Sequence, residues 1–392
     1  MAIGESSMEN LEVKMDPMFE GCFNGKTVLI TGHTGFKGAW LALWLHLLGS
    51  RVVGYSLKPP TEPNFFEQCR LSQKIVSCEG DVCDLESLKA IIAETKPEIV
   101  FHLAAQPLVR VSYRKPVETI FTNLIGTVHV LEAVREAGSS VRVCQLITSD
   151  KSYQNRETEE AYCETDPMGG HDPYSASKGG AELMISAYRN SFFHPDFISE
   201  HQVSVSSARG GNVIGGGDWG EDRILPDCIR ALSQDKPIVL RNPAAIRPWQ
   251  YILDALSGYL CLAQYQLKGD SSYASAWNIG PDENEYLRVQ ELAERVIRCW
   301  GKGSWNLASP NHSKMHEATL LKLNCTKAKR ELKWRCVYNF EESIRHTVDW
   351  YKKASFDKHF DAFNFSVQQI KNYQITAKER RLTWAHYQEA LP

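Results

Sequence analysis

An α/β protein with a parallel sheet covered on both faces is what the order of segments predicts, and three observations carry it. The apolar run Thr27 to Ile30 ends in a glycine-rich turn and enters a helix-like stretch, Ala39 to Leu48. Further β-rich runs follow at Arg51 to Tyr55, Ile99 to Leu103 and Val141 to Thr148, separated by helical segments such as Thr127 to Glu136. The alternation then continues through a helix from Tyr174 to Phe192 and a strand from Val203 to Ala208.

Beyond that strand the texture changes. Glycine, proline and arginine are frequent from Gly215 to Arg247, and helices around Asp254 to Gln266 and Val289 to Trp300 alternate with short strands, so a smaller, interleaved second domain is expected. A chain of 392 residues that is 43% hydrophobic is long enough for two domains. A formal net charge of -3 argues against a general nucleic-acid-binding surface, so any basic site must be local. The 11 cysteines include no C-x-x-C pair and read as reduced thiols of a cytoplasmic protein. Met1 to Gly25 carries Glu5, Glu9, Glu12, Asp16 and Glu20 without a continuous apolar block, which fits neither a signal peptide nor a membrane anchor.

The first turn holds Gly32, Gly35 and Gly38 between strand and helix. Backbone N–H groups at a helix N-terminus can receive a pyrophosphate there, so the context predicts a Rossmann-type dinucleotide site. An acid that would hold a ribose hydroxyl is missing at the end of the second strand, where Ser56, Leu57 and Lys58 stand, and this leaves NAD and NADP both open. Asp81, in Gly80-Asp81-Val82, can cap a helix, and its resemblance to the same position of dinucleotide-binding dehydrogenases implies an adenine contact.

Tyr174 and Lys178 are four residues apart on a predicted helix and share one face, where an ammonium can lower the phenol's pKa and make a usable base. Ser149 closes the strand Val141 to Thr148, at the sheet edge where ligands of such folds bind, and offers a hydroxyl to the reacting oxygen. Asp150 and Lys151 follow directly. Oxidation of a secondary alcohol to a ketone acidifies the proton on the neighbouring carbon, and loss of water across the next bond then requires one base and one acid beyond the oxidation machinery. Each would need its less usual protonation state, and the bland alternative for the two is a plain ion pair.

The glycine spacing and the Tyr-Lys pair resemble the extended short-chain dehydrogenase/reductase superfamily. Within it, Thr148-Ser149-Asp150-Lys151 resembles the nucleotide-sugar 4,6-dehydratases, and the Asp-Lys variant resembles their CDP-glucose branch. The likeness runs from about Phe19 to Gln374 and rests on residues 32–38 (Gly-His-Thr-Gly-Phe-Lys-Gly), 101–110 (ending Leu108-Val109-Arg110), 172–178 and 211–219. It implies Asp150 as general acid and Lys151 as base, beside Ser149, Tyr174 and Lys178. It further implies internal hydride transfer from carbon 4 to NAD and back to carbon 6.

For the cofactor the resemblance implies Gly32, His33, Thr34, Gly35, Phe36, Lys37, Gly38, Ser56, Lys58, Asp81, Val82, Leu103, Ala104, Ala105, Gln106 and Asn123, together with Tyr174 and Lys178. His102 and Gln106 are implied near the sugar. Asn190, Asn212, Arg223, Arg241 and Arg247 are implied on the nucleotide diphosphate, with Ile224 and Leu225 near the base. Arginine suits that task because its planar fork makes bidentate contacts without losing charge. The expected organisation is a flexible tail at 1–22, a mainly dinucleotide-binding domain at 23–210, a mainly nucleotide-sugar-binding domain at 211–375 and a tail or helix at 376–392.

A homodimer through Gly126 to Ala137 and Tyr174 to Phe192 is implied by resemblance alone, with no membrane or nucleic-acid partner. Two rivals stay open. A 4-epimerase of the same fold needs Ser149, Tyr174 and Lys178 but neither Asp150 nor Lys151, and a nonenzymatic dinucleotide sensor would show a damaged Tyr-Lys pair. His312 and His316 lack a third ligand and do not make a metal site.

Overall fold

The computed structural model describes residues 18–282, 286–309 and 320–386. Seven parallel strands form the central sheet: β1 (Thr27–Thr31), β2 (Arg51–Ser56), β3 (Val76–Glu79), β4 (Ile99–His102), β5 (Val143–Ile147), β6 (Ser204–Gly210) and β7 (Ala276–Ile279). Their spatial order is β7-β6-β5-β4-β1-β2-β3, which reverses direction between β1 and β4 and opens a crevice at the strand ends there.

Side chains alternate across this sheet as the pleat requires. Val28 and Ile30 of β1 face one core with α1 (Phe36–Leu47) and α6 (Ile252–Leu267). Leu29 faces the other, with Leu88 and Ile92 of α2 (Leu85–Thr95), Val130 and Leu131 of α3 (Gly126–Glu136) and Ile185 of α4 (Pro173–Ser191). Buried strands of this kind read as continuous apolar runs, which is why the sequence disclosed them.

The first core continues without a break into the second lobe, where α5 (Ile224–Ser233), α7 (Val289–Trp300), α8 (Phe340–Phe356) and α9 (Ala362–Glu379) pack. Three small two-stranded sheets complete that lobe, pairing Asn212–Ile214 with Trp249–Tyr251, Ile238–Leu240 with Trp305–Leu307, and Ile246–Arg247 with Leu287–Arg288. Residues far along the chain also return to the first sheet, since β7 pairs with β6.

The termini differ from the expected tails. Met18 and Phe19 are buried, and Phe19 stacks on Trp384 with ring centroids 5.0 Å apart. Among the described residues the last α-helix is α9, which ends at Glu379, just inside the segment expected as a tail or helix from residue 376. Aromatic burial explains both: Trp44, Tyr373 and Trp384 close around Phe19, so the two ends of the described chain hold each other.

The helical stretch Pro116–Glu136 is long and apolar enough to cross a bilayer by length and composition. Its buried side chains Thr119, Asn123, Val130, Leu131 and Val134 pack into the fold. The stretch contains a π turn at Phe121–Ile125. All 11 cysteines are free thiols.

Candidate active site

The glycine turn is fixed by contact distance. Gly32 has φ +76, and a Cβ there would sit 2.6 Å from the backbone nitrogen of Ala104; one on Gly38 would sit 2.2 Å from the carbonyl oxygen of Gly32. The turn therefore lies against the backbone after β4, and α1 starts at Phe36 with no side chain capping its N–H groups. Those groups remain for an anion.

Beside the turn, His33, Thr34 and Ser56 form one hydrogen-bonded set. Thr34 Oγ1 and Ser56 Oγ are 2.8 Å apart, Ser56 Oγ lies 3.2 Å from His33 Nδ1, and His33 Nε2 lies 2.7 Å from Ser77 Oγ. Burial lowers the pKa of His33 to about 4, so the ring is neutral. Lys58 is exposed. Asp81 accepts a hydrogen bond from the Cys83 N–H, whereas the residue capping α2 is Asp84. Val82 is buried against Gly126.

Four expected ligands turn inward or away instead. His102 is buried with Nδ1 2.7 Å from Thr31 Oγ1 and Nε2 3.1 Å from Thr127 Oγ1, and burial plus Lys178 lowers its pKa to about 3. The Gln106 side chain is spent on Leu108 of its own loop and on Thr119 of the helix Pro116–Ile120. Asn123 ties that loop to α4, accepting from the Gln106 N–H at 2.8 Å and donating to Ser177 Oγ at 2.9 Å. These three fasten the wall of the site and do not face the cavity. Asn190 is exposed near the far end of α4, about 24 Å along the helix from Tyr174.

A cavity of about 1120 Å³ lies between the lobes. Ser149, Lys151 and Tyr174 line it, with Phe36 and Lys37 from the glycine turn and Asn212, Arg223, Ile224, Leu225, Arg241 and Arg247 from the second lobe. Ser149 Oγ donates to Asp150 Oδ1 at 3.0 Å and accepts from the Lys151 N–H at 3.2 Å. Asp150 is buried behind this wall. Lys151 Nζ stands 3.6 Å from Asp150 Oδ1, so the two are paired as they stand, while Asp150 Oδ2 has no partner among the described residues.

Tyr174 is hydrogen-bonded to Ser149, yet its pKa is pushed up to about 12, first by burial and then by the Asp150 charge. This corrects the expected lowering by Lys178. The ammonium itself is buried without a hydrogen bond among the described residues, and burial followed by repulsion from Lys37 lowers it to about 7. Lys37 is lowered to about 8, by burial and by Arg223. Desolvation outweighs the mutual help of the pair in the ligand-free protein.

Behind the site, buried Glu182 of α4 accepts from Thr148 Oγ1, from Ser207 Oγ at 2.9 Å and from Arg209 Nη2 at 2.7 Å. This network joins α4 to the ends of β5 and β6. Sequence spacing gave no sign of it.

Two of the expected arginines are paired with acids, Arg223 Nη1 donating to Asp218 Oδ2 at 2.8 Å and Arg241 Nη1 to Asp222 Oδ1 at 2.6 Å, while Arg247 Nη1 donates to the Ile246 carbonyl. Arg110, for which the resemblance implies no ligand role, also lines the cavity and donates to the same Asp222 oxygen at 3.3 Å. No group of three or more metal-ligating side chains occurs among the described residues, and His312 and His316 lie outside them.

Among solved structures, UDP-glucose 4-epimerase from Thermotoga maritima with UDP-glucose has a TM-score of 0.70 at 22% identity, covering 84% of this chain and 99% of that one. The dTDP-glucose 4,6-dehydratase from Bacillus anthracis in complex with NAD has a TM-score of 0.69 at 22% identity, covering 84% and 97%. These share the fold. In sequence, the chain is 48% identical over 331 residues to CDP-glucose 4,6-dehydratase of Salmonella typhimurium, covering 84% of this chain and 91% of that protein. The dTDP-glucose 4,6-dehydratase of Neisseria gonorrhoeae is 26% identical, covering 83% and 95%. The family profile described as GDP-mannose 4,6 dehydratase matches residues 29–347, most of the chain. With that span and that identity, the chain belongs to the nucleotide-sugar 4,6-dehydratase family of hydro-lyases.

Proposed function

We propose that the chain is an NAD-dependent CDP-glucose 4,6-dehydratase, converting CDP-D-glucose to CDP-4-dehydro-6-deoxy-D-glucose and water. The observation that carries this is the convergence of Ser149, Lys151 and Tyr174 on one cavity that arginines enter from the opposite lobe. A 4-epimerase has no use for an acid and a base at residues 150 and 151, and a sensor has no use for an intact Tyr174 and Lys178.

The residues present fit a dinucleotide. The cradle at Gly32 and Gly38 is one that any Cβ would fill, the N–H groups of α1 are uncapped by side chains, and the amine of the buried Lys178 has no hydrogen bond among the described residues. When bound, NAD supplies the acceptor for the hydride of carbon 4 and gives the same hydride to carbon 6, and its cationic ring favours the Tyr174 phenolate. Tyr174 takes the proton of the 4-hydroxyl while Ser149 donates to the same oxygen. Lys151 as the neutral amine takes the carbon 5 proton and gives a proton back to carbon 5 as hydride reaches carbon 6; Asp150 as the acid protonates the 6-hydroxyl, which leaves as water, and the proton that Tyr174 took from the 4-hydroxyl returns through solvent to Asp150 to reset the cycle. The ion pair between these two must therefore exchange its proton before turnover, from ammonium to carboxylate.

We further propose a homodimer, supported by Val117, Ile120, Phe121 and Leu183, large apolar side chains left exposed on the two helical stretches that hold Asn123 and Tyr174. We place the enzyme in the cytoplasm, where its thiols stay reduced.

The test is to incubate the purified protein with CDP-, dTDP-, UDP- and GDP-glucose and trace NAD or NADP, following the alkali-induced absorbance of a 4-keto-6-deoxy sugar. Product is expected from CDP-glucose in excess over NAD. Release of one NADH per sugar, or an inverted alcohol as product, would overturn the proposal.

A further inference from the structure

Arg110 and Arg241 reach one oxygen from opposite sides of the cavity. Arg110 belongs to the short helix Val109–Arg114 that follows β4 in the first lobe, and Arg241 follows the strand Ile238–Leu240 in the second. Both donate to Oδ1 of Asp222, at 3.3 and 2.6 Å, and all three residues line the cavity. Asp222 lies in the loop before α5 with φ +57, a left-handed conformation uncommon for a residue with a side chain. Its side chain and those of its two partners are each between a fifth and a third exposed, so the cluster is open to the cavity.

Two guanidinium groups that meet within hydrogen-bonding distance of a single oxygen can both reach one phosphate oxygen placed at that point. Burial would raise the pKa of the Asp222 carboxyl, but Arg241 and then Arg110 outweigh it and hold it below the usual range, so its oxygens carry charge. The resemblance gave Arg241 to the diphosphate and gave Arg110 no such role.

We infer that Arg110 is a ligand of the substrate's diphosphate, sharing one anion position with Arg241, and that the Asp222 carboxylate occupies that position while the site is empty. This rests on the reading of the cavity as a nucleotide-sugar site. Binding then exchanges one anion for another across the lobes. Arg110 gains a partner carrying more charge, and Asp222 is released toward solvent.

Two variants test this by calorimetric titration of the full-length protein with CDP and CMP. Arg110→Met keeps the aliphatic stem and is expected to weaken CDP binding roughly tenfold while moving CMP little, so the preference for the diphosphate shrinks. Asp222→Asn removes the competing charge and is expected to tighten CDP severalfold. An unchanged ratio of CDP to CMP affinity in Arg110→Met would overturn the role of Arg110. Weaker CDP binding by Asp222→Asn would show that the carboxylate holds the arginines for the ligand, overturning its part as a stand-in. A parallel titration of the unmodified protein with dTDP, UDP and GDP separates the two readings. Binding one of those in place of CDP revises the base and leaves this inference testable on that nucleotide, whereas binding none sinks both.

Discussion

At one end of the cavity, Ser149, Asp150, Lys151, Tyr174 and Lys178 come from two short segments, the end of β5 and the first turns of α4. At the other end, Arg110, Arg241 and Arg247 come from three separate segments and both lobes, and Arg223 stands between the two groups, close enough to act on Lys37 and Tyr174. Ser149, Asp150, Tyr174 and Lys178 are buried, Lys151 is partly exposed, and Glu182 and Arg209 tie the segments together from behind. Arg223, Arg241 and Arg110 rest partly exposed against Asp218 and Asp222. Proton chemistry needs fixed geometry and low polarity, which shift protonation states. Holding a diphosphate needs permanent charge and room for the ligand to enter, which guanidinium groups supply at a partly exposed surface.

That contrast predicts effects of different kind and size. Lys151→Met at the buried end should lower turnover by roughly 10²- to 10⁴-fold, the usual range for loss of a general base, while NAD affinity measured by fluorescence titration stays within a factor of a few. Full turnover would remove Lys151 from the reaction.

The buried end should also titrate near neutrality and the arginine end should not. Lys178 is lowered from the ordinary lysine value to about 7, so the folded state favours the neutral amine. The stability from this group is therefore present at high pH and is lost as pH falls through the folded value. Denaturant titrations of the ligand-free protein should show the unmodified chain gaining up to about 1.4 kcal/mol per pH unit, relative to Lys178→Met, as pH rises from 7 toward 10. Arg241→Met should show no such slope, because a guanidinium keeps its proton throughout this range.

Gly32→Ala probes the cofactor turn. Its Cβ would meet the Ala104 backbone at φ +76, so a loss of about 1–3 kcal/mol in stability and of measurable NAD binding is expected. At the small end, Asn190→Ala should leave turnover and CDP affinity unchanged within about twofold, since the side chain is exposed away from the cavity. A large rise in KM for this variant would show that α4 contributes to the substrate site along its full length.

The regular part of this molecule could be read from the chain because its signals are local. Apolar runs on strands buried on both faces, a glycine turn between strand and helix, and a Tyr-Lys pair at helical spacing are each set by neighbours within a few residues. The predicted helix Val289 to Trp300 matches α7 to the residue, and β2 and α4 lie within a residue or two of their expected ends. His102, Gln106 and Asn123 were expected at the ligands, but whether a polar side chain faces a cavity or a neighbouring loop depends on partners far along the chain. Asn123 reaches Ser177, 54 residues away.

Lys333-Trp334 is a similar case. Lys333 adopts φ +51, a left-handed conformation that favours glycine, and Trp334 beside it donates to Ser257 Oγ at 2.9 Å.

The amino-acid order alone therefore determined the strand-turn-helix units, their parallel sheet and the residues able to carry acid, base and hydroxyl chemistry, since these follow from period and spacing. Only the folded chain decided which charges meet: Asp222 with two arginines from opposite lobes, Glu182 with Arg209 beneath the site, and Lys178 stripped of water. Electrostatic partnership acts through space and desolvation, and neither is written in the distance between residues along a chain.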